Sequence, residues 1–470
     1  MSKSYIVSGC LFGDEGKGTI SDYLGYTRDI KECVRYNGGS QASHTVTCNG
    51  VKHKFSQLGS AFMNDDTRTY LSKNTIVNPF NIYTEAKVFS DKVGISPDEV
   101  IGNLYISKNS KIVTPYHSLI RKIRELSSPN NRTGAVGTGV SEVYRIGSEI
   151  GITLSMEDIV NMNDEAKNKL LELASYTRRF VEKRIDKIKP KLLDAIVNEK
   201  DLYYLTNIRN KAYIISCYEN MFNSLNMNVI SDMREFHNGG NVLFEGSQAL
   251  LLDRVHGIKP NVSLTDTTNN YGVKLAEDIG SEYHRVGCMS VLASRHGMGV
   301  LPTYNVVLQE KIHDENQLAS YFQGVPRYGW FDAVLLRYSL KVNPVDSLFL
   351  SCVDLLDDFN NVKICNSYIY VGEIDDEFKD TFDYYVDGNR VIINDIKRNS
   401  DNLRKYLARC IPMYIELPGW KCDTSQIKSY RDLPNECNSY IELLEYLVGT
   451  KVSIVGVGAD RCQKLERIKI

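Results

Sequence analysis

Apolar and polar positions along the chain fall into two alternating patterns. Short apolar runs recur: Tyr5-Ile6-Val7, Val242-Leu243-Phe244, Asp346-Ser347-Leu348-Phe349-Leu350 and Lys451-Val452-Ser453-Ile454-Val455. They read as buried strands, and small or acidic residues follow several of them. Helical patterns lie between them, beginning with Ser21-Asp22-Tyr23-Leu24 after the first run. This alternation predicts an α/β architecture with much parallel sheet. Such sheets build their sites at strand ends, so Glu245-Gly246 after the second run marks a functional loop. Residues 162–235 read as helical and highly charged, as in Arg178-Arg179-Phe180-Val181-Glu182-Lys183-Arg184. That composition predicts a solvated helical face. Tyr384-Tyr385-Val386 and Val391-Ile392-Ile393 flank Asp387-Gly388-Asn389-Arg390, a hairpin signal. Neither an internal repeat nor a Pro/Ser-rich linker interrupts the pattern. We therefore expect one large domain, 1–470, with a helical subregion near 162–235 and a hairpin subregion near 366–400.

Composition narrows the class. The 470 residues suffice for a sizeable core, and 42% hydrophobic with 24% charged residues is ordinary for a globular enzyme. A net charge of −2, from 56 basic and 58 acidic side chains, gives no reason to expect nucleic acid or anionic membrane as a partner. No apolar stretch reaches the roughly 18 residues needed to span a bilayer. The amino terminus, Met1-Ser2-Lys3-Ser4-Tyr5, lacks the apolar core of a signal peptide. The 11 cysteines are scattered, without a CxxC pair, and their odd number fits a reducing compartment. The expectation is a cytoplasmic protein.

Three loops carry candidate chemistry. The first, LFGDEGKGTI over residues 11–20, joins a strand to a helix and has the glycines and lysine of a phosphate cradle. The P-loop motif requires glycine five positions before Gly16-Lys17, where Leu11 stands, so that motif is absent. The loop also holds two carboxylates, Asp14 and Glu15, where phosphate charge would make them unwelcome. The second, YNGGSQASHT over residues 36–45, lets the backbone approach a ligand and offers His44 as a general acid. The third, residues 243–268, offers the Gln248 amide to a base edge and a hydroxyl-rich run from 263 to 268.

Taken together, the three loops resemble the adenylosuccinate synthetase family, which condenses IMP with aspartate at the expense of GTP. The family's first loop reads close to W-G-D-E-G-K-G-K, here Phe12-Gly13-Asp14-Glu15-Gly16-Lys17-Gly18-Thr19. Its G-G-x-N-A-G-H-T is Gly38-Gly39-Ser40-Gln41-Ala42-Ser43-His44-Thr45, and its F-E-G-A-Q-G is Phe244-Glu245-Gly246-Ser247-Gln248-Ala249. Further matches are residues 295–303, Gly329-Trp330-Phe331-Asp332, Leu417-Pro418-Gly419-Trp420 and Gly458-Ala459-Asp460-Arg461, in family order across essentially the whole chain. The resemblance implies a large, mostly parallel central sheet flanked by helices, related to P-loop nucleoside triphosphatases but without their phosphate motif.

It also implies a site. Asp14 would take the proton from purine N1, His44 would stabilise charge around the 6-oxygen and the transferring phosphoryl group, and Gln248 would hold the base and orient Asp14. Mg²⁺, held by Asp14 and the Ser43 carbonyl, would neutralise phosphate charge. Lys17 would cradle the triphosphate with Gly13, Glu15, Gly16, Gly18, Thr19, Ser43, His44, Thr45, Gly456 and Gly458. Asp354 would accept the N1 and N2 protons of guanine, with ATP the other candidate donor. Gln41, Ala42 and Ser263 would join Asp14, His44 and Gln248 around the acceptor purine. The amine side would draw on Arg295, Tyr321, Phe322, Gln323 and Arg327. A homodimer, small-molecule nucleotide and amino-acid substrates, and no membrane partner complete the picture.

The sequence departs from the family in a patterned way. Where the family's amine loop reads T-T-G-R-x-R-R-T-G-W, this chain has Tyr321-Phe322-Gln323-Gly324-Val325-Pro326-Arg327-Tyr328, which retains Arg327 alone of the arginines. Losing a charge-assisted contact typically costs about 1.5–3 kcal/mol. Where T-T-G-R-G-I-G-P is usual, Ala135-Val136-Gly137-Thr138-Gly139-Val140-Ser141-Glu142 stands, with Val136 in place of a phosphate-binding hydroxyl. Ile150 falls near the arginine that the family supplies across its dimer interface, and Arg145 is near enough to substitute. Gln41 replaces asparagine, Ser263 threonine, and Cys352 the lysine of K-L-D. The transfer core is therefore intact while both acceptor subsites differ. Aspartate with IMP, another amine, another purine such as a deoxy or 2-amino nucleotide, and a nucleotide-binding regulatory protein without ligase activity all remain open readings.

Overall fold

The computed structural model describes residues 2–128, 136–197, 202, 206, 211–224, 227–312 and 321–470. Ala135 and parts of the 162–235 stretch lie outside the described residues. Eighteen strands fall in it, in chain order: β1 (Lys3–Gly9), β2 (Glu32–Arg35), β3 (His44–Cys48), β4 (Val51–Phe55), β5 (Arg68–Leu71), β6 (Leu104–Ser107), β7 (Asn228–Ile230), β8 (Val242–Glu245) and β9 (Glu282–Ser290). The rest are β10 (Leu292–Arg295), β11 (Arg327–Asp332), β12 (Ser347–Ser351), β13 (Asn361–Tyr370), β14 (Phe382–Asp387), β15 (Arg390–Ile396), β16 (Cys410–Pro418), β17 (Val452–Gly456) and β18 (Lys464–Glu466).

Ten strands form one sheet in the order β18-β17-β12-β9-β1-β8-β2-β5-β6-β7. All its neighbours are parallel except the edge pair β17/β18. The apolar runs occupy its centre because a parallel sheet covered on both faces buries every side chain. All four residues of β2, all four of β8 and all five of β12 and β17 are buried. A smaller sheet carries β10-β11-β13-β15-β14, with β16 also paired to β13. The β14/β15 hairpin pairs Asp387 with Arg390, and Gly388 supplies the positive φ of the turn.

Residues 162–235 are helical at Asp164–Glu182, Pro190–Ile196 and Lys211–Ser224. The first of these buries Leu170, Leu173, Thr177, Phe180 and Val181 while Arg178 and Glu182 pair in solvent at 2.7 Å. The charged stretch is therefore amphipathic, and its apolar face joins a core shared with residues of β3–β6 such as Phe55, Leu71 and Ile106. Its end differs from the helical reading: Asn228–Ile230 is the edge strand β7, paired with β6. Three residues are too few for a period-2 pattern to show in the sequence, and pairing to an existing edge decides their conformation.

Candidate active site

Five strand ends converge on one place. The loops after β1, β2, β8, β12 and β17 all open at the carboxyl edge of the large sheet, on either side of the point where chain order reverses between β9 and β8. They enclose a cavity of about 650 Å³.

The loop after β1 turns through Gly13, Asp14 and Gly16, all at positive φ, and Gly16 starts the helix Lys17–Thr27 in a left-handed conformation. Gly16 has no side chain to cap that helix, so its first-turn N–H groups remain for an anion. The helix packs so tightly against β3 that a Cβ on Gly18 would lie 2.9 Å from the Cβ of His44. Glu15 folds back beneath the loop, where the Leu11 N–H donates to it at 2.5 Å and Lys17 lies 3.7 Å away. Burial pushes Glu15 up to about 7, against the pull of Lys17 and the loop amides. Of the two carboxylates, Glu15 thus supports the loop, and Asp14 faces the cavity with its side chain 39% exposed.

His44 opens β3, and its Nδ1 lies 2.5 Å from Glu245, the last residue of β8. Glu245 also accepts from the Ser60 N–H at 2.8 Å and the Ser60 hydroxyl at 2.5 Å. Burial alone would raise Glu245, but Arg35, His44 and Ser60 bring it down to about 2, so it is a carboxylate. Burial pushes His44 down to about 4, against the attraction of Glu245. The imidazole is therefore neutral, with its Nδ1 hydrogen donated to Glu245 and its Nε2 lone pair left for a ligand. Gln248, at φ 65, accepts at Oε1 from the Thr265 hydroxyl at 3.0 Å, and Thr265 meets Ser263 at 2.7 Å. With Oε1 engaged, the amide presents its N–H₂ group.

The cavity is lined by Gly13, Asp14, Glu15, Gly16, Lys17, Gly18, Thr19, Gln41, Ala42, Ser43, His44, Thr45, Gln248, Ser263, Arg295, Gln323, Asp354, Gly456 and Gly458. Tyr321, Phe322 and Arg327 lie outside this lining. The Tyr321 and Phe322 rings meet edge to face, and Phe322 covers Gly137 so closely that a Cβ there would lie 2.9 Å from the ring. Arg327 donates to the Gly297 carbonyl at 2.9 Å, and Gly297 in turn donates to the Gln323 carbonyl at 3.0 Å. Arg295 is likewise engaged with backbone: its Nη1 meets the Val300 carbonyl at 2.7 Å and its Nη2 the Asn261 carbonyl at 3.1 Å, over the Phe12 ring.

Sequence reasoning assigned no role to Glu245, Thr265 or His296. The F-E-G motif contained the first, and position alone next to Arg295 hinted at the third. His296 Nε2 lies 3.3 Å from the Asp14 carboxylate. Lys464, which also lines the cavity, had no signal at all.

An α/β sheet with a glycine-rich anion loop and an acid–base cluster at its carboxyl edge defines a nucleotide-processing fold. The sequence profile of the family described as adenylosuccinate synthetase matches residues 6–465. Curated relatives named adenylosuccinate synthetase include those of Bacillus licheniformis, 30% identical over 98% of this chain and 97% of the relative, and Bacillus subtilis, 29% identical over the same shares. Among solved structures, fully ligated adenylosuccinate synthetase from Plasmodium falciparum superposes with a TM-score of 0.73 at 21% identity, covering 99% of each chain. The cyanophage S-2L succinoaminodeoxyadenylate synthetase, bound to dGMP and to dATP as an energy donor, gives 0.55 at 14% identity over 99% of this chain and 95% of that one. The chain belongs to the adenylosuccinate synthetase family, and is a carbon–nitrogen ligase of that type.

Proposed function

We propose that the protein phosphorylates the 6-oxygen of IMP or a related 6-oxo purine nucleotide with GTP and displaces that phosphate with aspartate or another amine. The products are adenylosuccinate or an analogue, GDP and phosphate. The carrying observation is the convergence of Asp14, Lys17, the His44–Glu245 pair and the Thr265-held Gln248 on one cavity.

The chemistry follows from the groups. A purine 6-oxygen is a poor leaving group and a poor nucleophile. Asp14 takes the N1 proton, the electron pair moves to O6, and O6 attacks the γ-phosphorus as GDP departs. Lys17 and the first-turn N–H groups balance phosphate charge, and His44, once the negative charge gathering beside it draws a proton onto Nε2, donates to the charge that develops near the 6-oxygen while Glu245 holds its Nδ1–H. Gln248 directs its N–H₂ group toward acceptors on the purine or on Asp14. The amine then attacks C6, phosphate leaves with the C6–O bond, and the amine proton passes to solvent.

Magnesium suits the donor set. Asp14 offers a half-exposed carboxylate and Ser43 a backbone oxygen on the same wall, and no cluster of three or more metal-ligating side chains occurs among the described residues. That is the pattern for an ion whose other ligands are phosphates and water. When bound, it would neutralise phosphate charge. A homodimer and a cytoplasmic setting belong to the same reading and rest on the resemblance.

Incubation with GTP, Mg²⁺ and IMP, with and without aspartate, tests the proposal. Aspartate-dependent GDP and adenylosuccinate support it. Tight nucleotide binding without turnover on any 6-oxo purine and amine would instead favour a nucleotide-binding regulatory protein.

A further inference from the structure

The end of the cavity beyond the phosphate loop holds a cation that the proposed chemistry does not use. Lys464 opens β18, opposite Gly456 of β17, and is only 6% exposed. Its ammonium donates to the carbonyls of Gly458 at 2.8 Å and Asp460 at 2.7 Å. An ammonium has three N–H donors, so these two bonds leave one. Lys464 lines the cavity together with Cys352, Asp354, Gly456 and Gly458. Burial pushes its pKa down to about 8, with Cys352, Asp22, Asp354 and Asp460 pulling upward. Burying a charged lysine is costly unless its donors are used, and here the protein supplies two acceptors and leaves the third direction for something else.

Cys352 stands where the resemblance expects a lysine, so the strand end before Asp354 has lost its cation. Lys464 carries one into the same end of the cavity from two strands further out in the sheet.

We propose that Lys464 is a specificity-determining residue that reads the 6-oxo group of the donor nucleotide, completing with Asp354 a site for the guanine edge. This rests on the proposed function, in which that end of the cavity holds the donor base. Guanine presents an acceptor at O6 and donors at N1 and N2. A carboxylate takes the two donors and a lysine N–H supplies the acceptor. Adenine reverses the first two positions: its N6 hydrogens would face the ammonium and its N1 lone pair the carboxylate. Both contacts would be mismatched, so the pair selects guanine and rejects adenine. The fold alone does not settle this choice, since the cyanophage structure carries dATP as its donor.

The test is direct titration of GTP, ITP, 6-thio-GTP and ATP onto wild type and Lys464→Met. ITP lacks only the N2 amino group. 6-Thio-GTP keeps N1–H and N2 but replaces O6 by a weak sulfur acceptor. Wild type is expected to bind GTP about tenfold or more tightly than 6-thio-GTP, the loss typical of a charged hydrogen bond. Lys464→Met is expected to bring that ratio near one while leaving the GTP-to-ITP ratio unchanged. An unchanged GTP-to-6-thio-GTP ratio in the variant would overturn the inference and assign Lys464 a purely structural role. Should the methionine variant fail to fold, wild type alone decides: GTP and 6-thio-GTP bound within twofold of each other means that no cation reads O6. Failure of wild type to bind any of the triphosphates would overturn the proposed function itself, a distinct result.

Discussion

The two walls of the cavity hold their charges differently. On the transfer wall, Asp14, Lys17 and Gln248 follow the ends of the central strands β1 and β8, His44 opens β3 beside them, and their partners leave a reactive atom toward the cavity. On the acceptor wall, the charges turn inward. Glu142, in the helix Val140–Ile150, is fully buried and takes Arg124 at 3.0 Å, Arg121 at 3.4 Å and Arg145 at 3.9 Å. Arg327 and Arg295 are bonded to backbone carbonyls. The contrast teaches that an arginine at a family position is not a substrate contact by virtue of its charge. In this chain the surviving Arg327 steadies the Gly297 turn, and that turn carries His296 to Asp14.

The sharpest way to break the comparison is at Asp14. Asp14→Asn keeps the shape of the loop and removes the base, and general-base catalysis contributes roughly 10²–10⁴ in rate. We expect kcat to fall about a thousandfold, measured by steady-state kinetics, with a smaller loss of GTP affinity in Mg²⁺ by direct titration because the same carboxylate would hold the ion. Near-normal turnover would show that the transfer wall works by another group.

The acceptor wall should respond in stability first. Glu142→Gln strips one of two carboxylates from a buried cluster in which Arg121, itself almost wholly buried, also pairs with Glu125 at 2.5 Å. Breaking a buried ion pair on one side typically costs about 3–5 kcal/mol. Thermal unfolding should show a clear loss of Tm, and an unchanged Tm would mean that these arginines are held by other partners, such as Glu125 for Arg121, and that Glu142 does not carry the cluster.

The same contrast explains what the sequence revealed. The central strands were legible because a doubly covered sheet demands continuous apolar runs, and the glycines at 13, 16 and 18 were legible because positive φ or close packing requires them there. Asp14, His44 and Gln248 came from motif spacing, which strand ends convert into position. Glu245 escaped assignment because its role depends on pairing β8 beside β2, and sequence separation hides that contact. The strand at 228–230 and the cavity face of Lys464 were invisible for a similar reason: each is decided by a neighbour far away in the chain. On the acceptor wall the residue types could be read, but whether an arginine faces substrate or a buried glutamate could not.

A smaller effect separates orientation from chemistry on the transfer wall. Thr265→Val keeps the shape and removes the hydroxyl that fixes the Gln248 amide. Losing one hydrogen bond of this kind is worth about 1 kcal/mol. We expect KM for the acceptor nucleotide to rise severalfold to about tenfold, with KM for GTP unmoved. Equal rises in both would show that Thr265 supports the loop as a whole.

The smallest effect compares two buried histidines, one per wall. His44 faces a carboxylate, whereas His117, in the first turn of the helix Pro115–Ser127 beneath Gly139, accepts the Thr114 N–H at 3.0 Å and meets burial alone. Burial brings His117 down to about 3, well below the ordinary value near 6.5. Its folded pKa is the lower one, so on acidification the unfolded chain takes up this proton first. Stability is fully present above pH 6.5 and declines as pH falls through the window from 6.5 toward 3. At pH 5.5 the share of this one residue is about 1 kcal/mol, and at pH 8 it is absent. His117→Gln should therefore flatten the acid limb of Tm against pH without altering its shape above pH 7, whatever it costs in absolute stability. A parallel offset at every pH would show that His117 is not the titrating group, and would leave the acid sensitivity to the other depressed histidines, His44 and His53 foremost.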